Sequence, residues 1–286
     1  MFVAHQPYSM KERFYPNQII PLALTVVVCA IGIGLVWLEI VLLNRFVVNR
    51  EVIIPQLRWG DILIGFTIYI KTAIDFAIFI GRLMTKFPGW KNRIMIEIGT
   101  ALGNILGTMS ILLLWDLFRE VRVLMAIMIV IAGLVLLRMA EEGVHHVEED
   151  GQVLTEKHRQ TLHKIVSPLA ALNRFFAPVL NRLIPSTNIG KIEQTGYWKL
   201  LILSFTVPFI LGLDDFAGYI PLFNVVNVMG FATGVFLGHM LLNIALFLSP
   251  TITTRLVKNP VIAILGSIAF IGIAIWGFVE AFHLVW

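Results

Sequence analysis

Charged side chains make up only 14% of the 286 residues, against about 25% in an ordinary soluble domain. Together with 58% hydrophobic residues and a mean hydropathy of +0.84, that shortage excludes a water-soluble globular chain. Cysteine is nearly absent: Cys29 stands alone, so neither a disulfide framework nor a thiolate metal cage can form within the chain. No glycine-rich phosphate or dinucleotide loop is present, and no nucleophile stands at motif spacing from a general base. These absences argue against an ATP-driven pump and against an enzyme. The net charge of +4 does not point to nucleic acid, because Lys and Arg in a membrane chain report topology first.

What is present is a series of apolar runs long enough for helices to cross about 30 Å of hydrocarbon. Seven such runs are expected: Ile19 to Leu43, Ile62 to Met84, Ile94 to Leu117, Val121 to Leu137, Trp198 to Phe223, Val228 to Leu248 and Val261 to Trp286. They fill more than half the chain, which leaves one membrane domain. The first run is too long for a signal-peptide core and is read as a retained helix. Counted by side, Lys and Arg fall 16 against 5, with Lys71 inside a run, when the N-terminus is cytoplasmic. The expectation is a multi-pass protein of the plasma membrane with its N-terminus inside and its C-terminus outside.

The one sizeable polar stretch, residues 139–197, is expected in the cytoplasm. It opens on Glu141, Glu142, His145, His146, Glu148, Glu149 and Asp150. These groups are competent metal ligands, but their spacing matches no defined cage, and a solvated acidic helix end is the plainer reading. Further on, Ser167 and Pro168 suit a helix start. From Leu169 to Ile184 apolar residues alternate with Asn173, Arg174, Asn181 and Arg182, as in an amphipathic helix on the membrane surface.

The sequence also repeats itself. Asp75-Phe76-Ala77-Ile78-Phe79-Ile80 in the second run matches Asp215-Phe216-Ala217-Gly218-Tyr219-Ile220 in the fifth. Gly99, Gly103 and Gly107 in the third run match Gly230, Gly234 and Gly238 in the sixth. The units start three runs apart, so they cross the membrane in opposite directions. The fold class is therefore an all-α polytopic membrane protein with an inverted three-plus-three repeat and an extra N-terminal helix. Its parts are a cytoplasmic segment 1–18, the extra transmembrane helix 19–43, a first repeat 60–138, a cytoplasmic linker with an amphipathic helix 139–197, and a second repeat 198–286.

Inverted repeats place a site near the bilayer midplane, where carboxylates are costly and face a partner or a wet cavity. Asp75, Asp214 and Asp215 are the carboxylates so placed. Lys71, four residues before Asp75, could neutralise it on the same helical face. Asp214 and Asp215 have no such neighbour, since Ile210 and Leu211 stand four residues before them. Pro208 and Pro221 cannot donate to the carbonyls of Ser204 and Ala217, which marks them as helix breaks and leaves oxygen ligands beside the acids. The glycine triplets read first as close helix packing, which brings the third and sixth runs against the aspartate-bearing helices. Asn104 and His239 then become the polar residues nearest midplane; His239 serves as ligand or proton carrier, or as a hydrogen-bonded link between helices. Glu97, Glu39 and Glu280 lie near the ends of their runs and are expected to reach a water-filled vestibule.

The stretch Asp214-Asp215-Phe216-Ala217-Gly218-Tyr219-Ile220-Pro221-Leu222-Phe223 resembles the second-half signature of the cadmium-resistance transporter family in the LysE superfamily. Thr72-Ala73-Ile74-Asp75-Phe76 is similar to its first-half element and, more loosely, to that of TerC-type membrane proteins. The resemblance implies efflux of a metal cation or small solute, with the aspartates as the site. Ala73, Phe76, Leu213 and Asp215 depart from the pattern. The family pattern aligns Asp75 with Asp214, whereas the internal repeat aligns it with Asp215.

The leading expectation is a secondary transporter that exports a cation at Asp75, Asp214, Asp215, Asn104 and His239. With oxygen ligands and no thiolate, a harder divalent ion such as Mn²⁺ suits this set better than Cd²⁺. The metal would be cargo held by Asp75, Asp214 and Asp215, and no resident cofactor is expected. The alternatives are export of a small amino-acid-like solute, with Lys71 serving its carboxylate, and a non-transporting subunit of a larger membrane complex. Expected partners are membrane lipid, the transported cation or solute, and a second copy of the chain or a larger complex.

Overall fold

The computed structural model describes residues 19–46, 51–87, 89–149, 170, 173–178, 196–217, 220–257 and 260–286. Among these residues the chain is helical and without strands. The helices are α1 (Ile20–Phe46), α2 (Trp59–Thr72), α3 (Ile74–Lys86), α4 (Trp90–Phe118), α5 (Arg122–Glu149), α6 (Tyr197–Ala217), α7 (Val228–Leu248), α8 (Pro250–Val257) and α9 (Pro260–Val285). A 3-10 turn, Ile220–Asn224, lies between α6 and α7.

Five of these helices, α1, α4, α5, α7 and α9, are each long and apolar enough to cross a membrane. The 27 residues of α1 reach about 40 Å at 1.5 Å per residue. The pair α2 and α3 forms a sixth candidate, bent by 60°. The chain is thus a multi-pass membrane protein, but with fewer uninterrupted spans than the seven apolar runs suggest. Two runs are broken by the backbone. The second divides at Ala73, and in the fifth α6 is followed to Ala217 while Ile220–Asn224 form the 3-10 turn. The helix α8 has no counterpart among the expected runs.

Burial along α1 is confined to one stripe of Pro21, Thr25, Cys29, Gly32, Val36 and Ile40. That spacing of three to four residues is one face of a helix whose remaining surface suits lipid. The stripe lies across α4 and α7, with Gly32 against Ile105 and Phe236. By contrast α7 is buried nearly all round, which makes it the centre of the bundle.

Three pairings build the rest: α2 on α7, α4 on α6, and α5 on α9. The first two are backbone-close because glycines sit at the contact. A Cβ on Gly234 would collide with the Ile62 carbonyl oxygen and stand 2.7 Å from the Phe66 nitrogen. A Cβ on Gly103 would stand 2.5 Å from the Phe205 carbonyl oxygen and 2.9 Å from the Phe209 nitrogen. Gly99 meets Ser204 and Leu201, Gly230 meets Asp61, and Gly238 meets Tyr69; Gly107 is also buried. In both pairs contacts advance in the same direction along the two chains, so α4 runs parallel to α6, and α2 to α7. The helix α6 continues through Pro208, so no break occurs at that proline; its Cβ stands 3.2 Å from the Gly103 Cβ position.

At one end of the bundle Asn227 accepts a hydrogen bond from the Met229 nitrogen at 3.1 Å, capping α7. Its side chain also accepts from the Gln56 nitrogen at 3.1 Å and donates to the Ile54 carbonyl at 2.7 Å. Of the expected amphipathic helix, residues 173–178 are described and helical. Asn173 is buried there and donates to the Leu137 carbonyl at 3.3 Å and to Glu141, while Phe176 packs on Leu134 and Val135. The rest of that helix, residues 1–18, and the side chains of His145 and His146 lie outside the described residues.

Candidate functional site

Both interruptions coincide with the aspartates. At the first, α2 ends at Thr72 and α3 begins at Ile74, with Ala73 between them at φ −74° and ψ 17°. The Ala73 nitrogen still donates to the Tyr69 carbonyl at 2.9 Å, and the Thr72 hydroxyl donates to the same oxygen at 3.1 Å. A bend of 60° at this place separates the last carbonyls of α2 from the first N–H groups of α3. Asp75 is the second residue of α3, in the helix's first turn, where the N-terminal dipole favours a negative charge.

At the second interruption Asp214 and Asp215 fall in the last turn of α6. A helix C-terminus presents unbonded carbonyls and partial negative charge, so two acids there disfavour the helix unless a cation offsets them. From Ile220, which is buried, the chain is packed. Phe223 sits between the rings of Trp115 and Phe231, with both centroids at 5.5 Å, and Pro221 lies against Gly277 of α9. The side chains of Asp75, Asp214 and Asp215 lie outside the described residues.

Around the first interruption the surroundings are polar and buried. The His239 ring on α7 lies against Phe76, with centroids 5.4 Å apart and the planes tilted by 49°. Its Nδ1 stands 2.8 Å from Tyr69 Oη and its Nε2 stands 3.1 Å from Asn243 Nδ2. An amide nitrogen only donates, so Nε2 accepts and the neutral ring carries its proton on Nδ1, which donates to Tyr69. Both ring nitrogens are thereby engaged, and His239 links α2 to α7.

Lys71 is 8% exposed. Its alkyl stem presses on Gly266 of α9, and its ammonium lies 5.7 Å from the centroid of Phe270. Asn104 is 4% exposed, and its Nδ2 has no hydrogen-bond partner among the described residues. Its backbone carbonyl accepts from the Thr108 hydroxyl at 2.8 Å.

Glu97 is not a vestibule residue: it is 0% exposed. The helices α1 and α7 close over it, and Asn243 Nδ2 donates to its Oε2 at 2.9 Å. Position near the start of a helix misleads here because neighbouring helices extend past it. Glu39 is half-buried beside an apolar groove lined by Leu35, Leu42, Met109 and Leu113, and Glu280 is also half-buried.

Tyr69 and Asn243 are not singled out by the sequence, and Glu97 is, but as a vestibule residue. One signal was available, since Asn243 stands four residues after His239 on an otherwise apolar helix, the spacing of a same-face pair. Among the described residues no three His, Cys, Asp or Glu side chains come together as a metal set. Comparison with family models, with curated proteins and with solved structures found no match to this chain.

Proposed function

We propose that the chain is a secondary transporter that exports a cation, of which a hard divalent ion such as Mn²⁺ is the best fit, by alternating access at Asp75, Asp214 and Asp215. The observation that carries this reading is that the two interrupted spans are interrupted at the aspartates. Discontinuous helices near midplane are how many transporters offer carbonyls, dipole ends and carboxylates to an ion.

The cross-packing of α2 on α7 and α4 on α6, each through a glycine triplet, supports an inverted repeat in which each half grips the other's broken helix. The extra helix α1 then lies outside the two halves, across both triplet helices. The likeness to the cadmium-resistance and TerC-type proteins of the LysE superfamily rests on the same broken elements. With no glycine-rich phosphate loop in the sequence, the cycle we propose draws on a proton or ion gradient, and no catalytic step is assigned to the chain.

The test is uptake of Mn²⁺ by liposomes containing the purified full chain, with Asp75→Asn and Asp215→Asn beside the wild type. Saturable flux that both variants lose is the expected result. Absence of binding and flux for every divalent cation, with both variants folded, defeats the reading.

One observation favours a second reading, a transport fold retained as a subunit of a larger membrane complex. Lys71 is packed between helices, against Gly266 and Phe270, instead of opening to water. Under that reading Lys71→Ala alters assembly or stability and leaves no flux to lose.

A further inference from the structure

A line of buried polar side chains runs from Glu97 to the first helix interruption. Glu97 bonds to Asn243, Asn243 to His239, and His239 to Tyr69, at 2.9, 3.1 and 2.8 Å. All four residues are at most 5% exposed. Tyr69 is in the last turn of α2, one turn before the break at Ala73. A carboxyl enclosed in a membrane domain is costly, and such a group is placed for a proton or an ion pathway more readily than for stability.

The hydrogen-bond account of this line is incomplete by one donor. Asn243 Nδ2 has two protons, and it uses them on Glu97 Oε2 and His239 Nε2. That leaves Glu97 Oε1 and Asn243 Oδ1, both buried acceptors, without a donor among the described residues. Thr25 lies beside Glu97 and has a single hydroxyl proton, which is also within reach of the Pro21 carbonyl at 2.9 Å, so it can serve at most one of the two acceptors. Buried acceptors are rarely left unmatched. A proton on the Glu97 carboxyl supplies the donor that the cluster lacks.

We propose that Glu97 is a proton-binding site, connected through Asn243, His239 and Tyr69 to the aspartate-bearing break, and that it couples proton movement to the cation cycle. The coupling half of this inference rests on the transport reading above; the proton site itself rests on the geometry. The titratable and charged groups around it are Cys29 from α1 and His239 from α7, with Arg93 one turn earlier on α4. Arg93 directs a guanidinium nitrogen to the Phe247 carbonyl at 3.0 Å. The helix α6 approaches through the uncharged Leu201, Ser204 and Phe205, and α3 contributes Arg82 and Lys86, both exposed. No carboxylate among the described residues shares the pocket, so the proton exchange is simple: carboxylate plus proton gives the acid, with Asn243 holding one oxygen in both states.

Two readouts on the purified full chain test this. Infrared difference spectra over a pH series, without metal, are expected to show a protonated-carboxyl C=O band that Glu97→Gln removes and Glu97→Asp retains at a shifted position. A wild-type spectrum indistinguishable from that of Glu97→Gln overturns the proton site. Calorimetry of MnCl₂ binding in buffers of different ionisation heat is expected to show wild type releasing about one proton more per Mn²⁺ than Glu97→Gln. Equal release by the two overturns the coupling. A wild type that binds no Mn²⁺ defeats the cation reading and with it the coupling, while the infrared comparison still decides the proton site.

Discussion

At Gly234 no side chain can be added without moving a backbone. A Cβ there collides with the Ile62 carbonyl and stands 2.7 Å from the Phe66 nitrogen, and neither belongs to a flexible side chain. Gly234→Ala is therefore expected to destabilise the protein by about 1–3 kcal/mol. Gly34→Ala, in α1 where nothing lies within 4 Å of the added methyl, should leave stability unchanged or slightly raised. Thermal unfolding of the two variants in detergent checks the contrast, and equal melting would contradict the packing role. The triplets were legible because close helix approach demands a small residue at every turn, a periodic signal in one dimension. Glu97 was not: its burial depends on how far α1 and α7 extend past it, and Asn243 becomes its partner only through the rotation of α7 about its own axis. The readable part of the site is the part written as repetition, while the pairings across helices are set by three-dimensional rotation.

Between elements, the links at the ends of the bundle do work that hydropathy cannot reveal. The apolar runs located the helices well, and Val228 to Leu248 coincides with α7. The bend at Ala73 was invisible, since Ala is a good helix former and nothing in Lys71-Thr72-Ala73-Ile74 resembles a stop. Pro208, which resembles one, lies within a continuous helix, as membrane helices allow for proline. Asn227 joins two elements at once, capping α7 and holding the extended segment ahead of α2 through Gln56 and Ile54. Asn227→Ala should cost about 1–2 kcal/mol from the cap alone and should also loosen residues 51–58. Hydrogen exchange measured by mass spectrometry is expected to show faster exchange in that segment and in the first turn of α7. Unchanged exchange before α2 would show that the tie is dispensable.

For the molecule as a whole, the unequal distribution of Lys and Arg makes a claim about sides that side-chain contacts let one test at two places. The Arg119 guanidinium donates to the Glu51 carbonyl, and the Glu51 nitrogen donates to Glu120 at 3.4 Å, so the turn after α4 and the segment before α2 share one end of the bundle. Arg93, at the start of α4, reaches the Phe247 carbonyl at the end of α7, and α8 packs on α3 beside it, which defines the other end. The first end carries few of the chain's cations and is expected outside. Cys29 is 7% exposed with its thiol directed to the Phe236 carbonyl at 3.6 Å, so a single added cysteine can be labelled over a low background. Glu120→Cys should react with a membrane-impermeant maleimide on intact cells, and Lys86→Cys only after permeabilisation; both positions are exposed. The opposite pattern would turn the protein over in the membrane. Glu97, seven residues into α4, would then lie in the outer half, and a proton bound there would drive the aspartate site toward uptake instead of export.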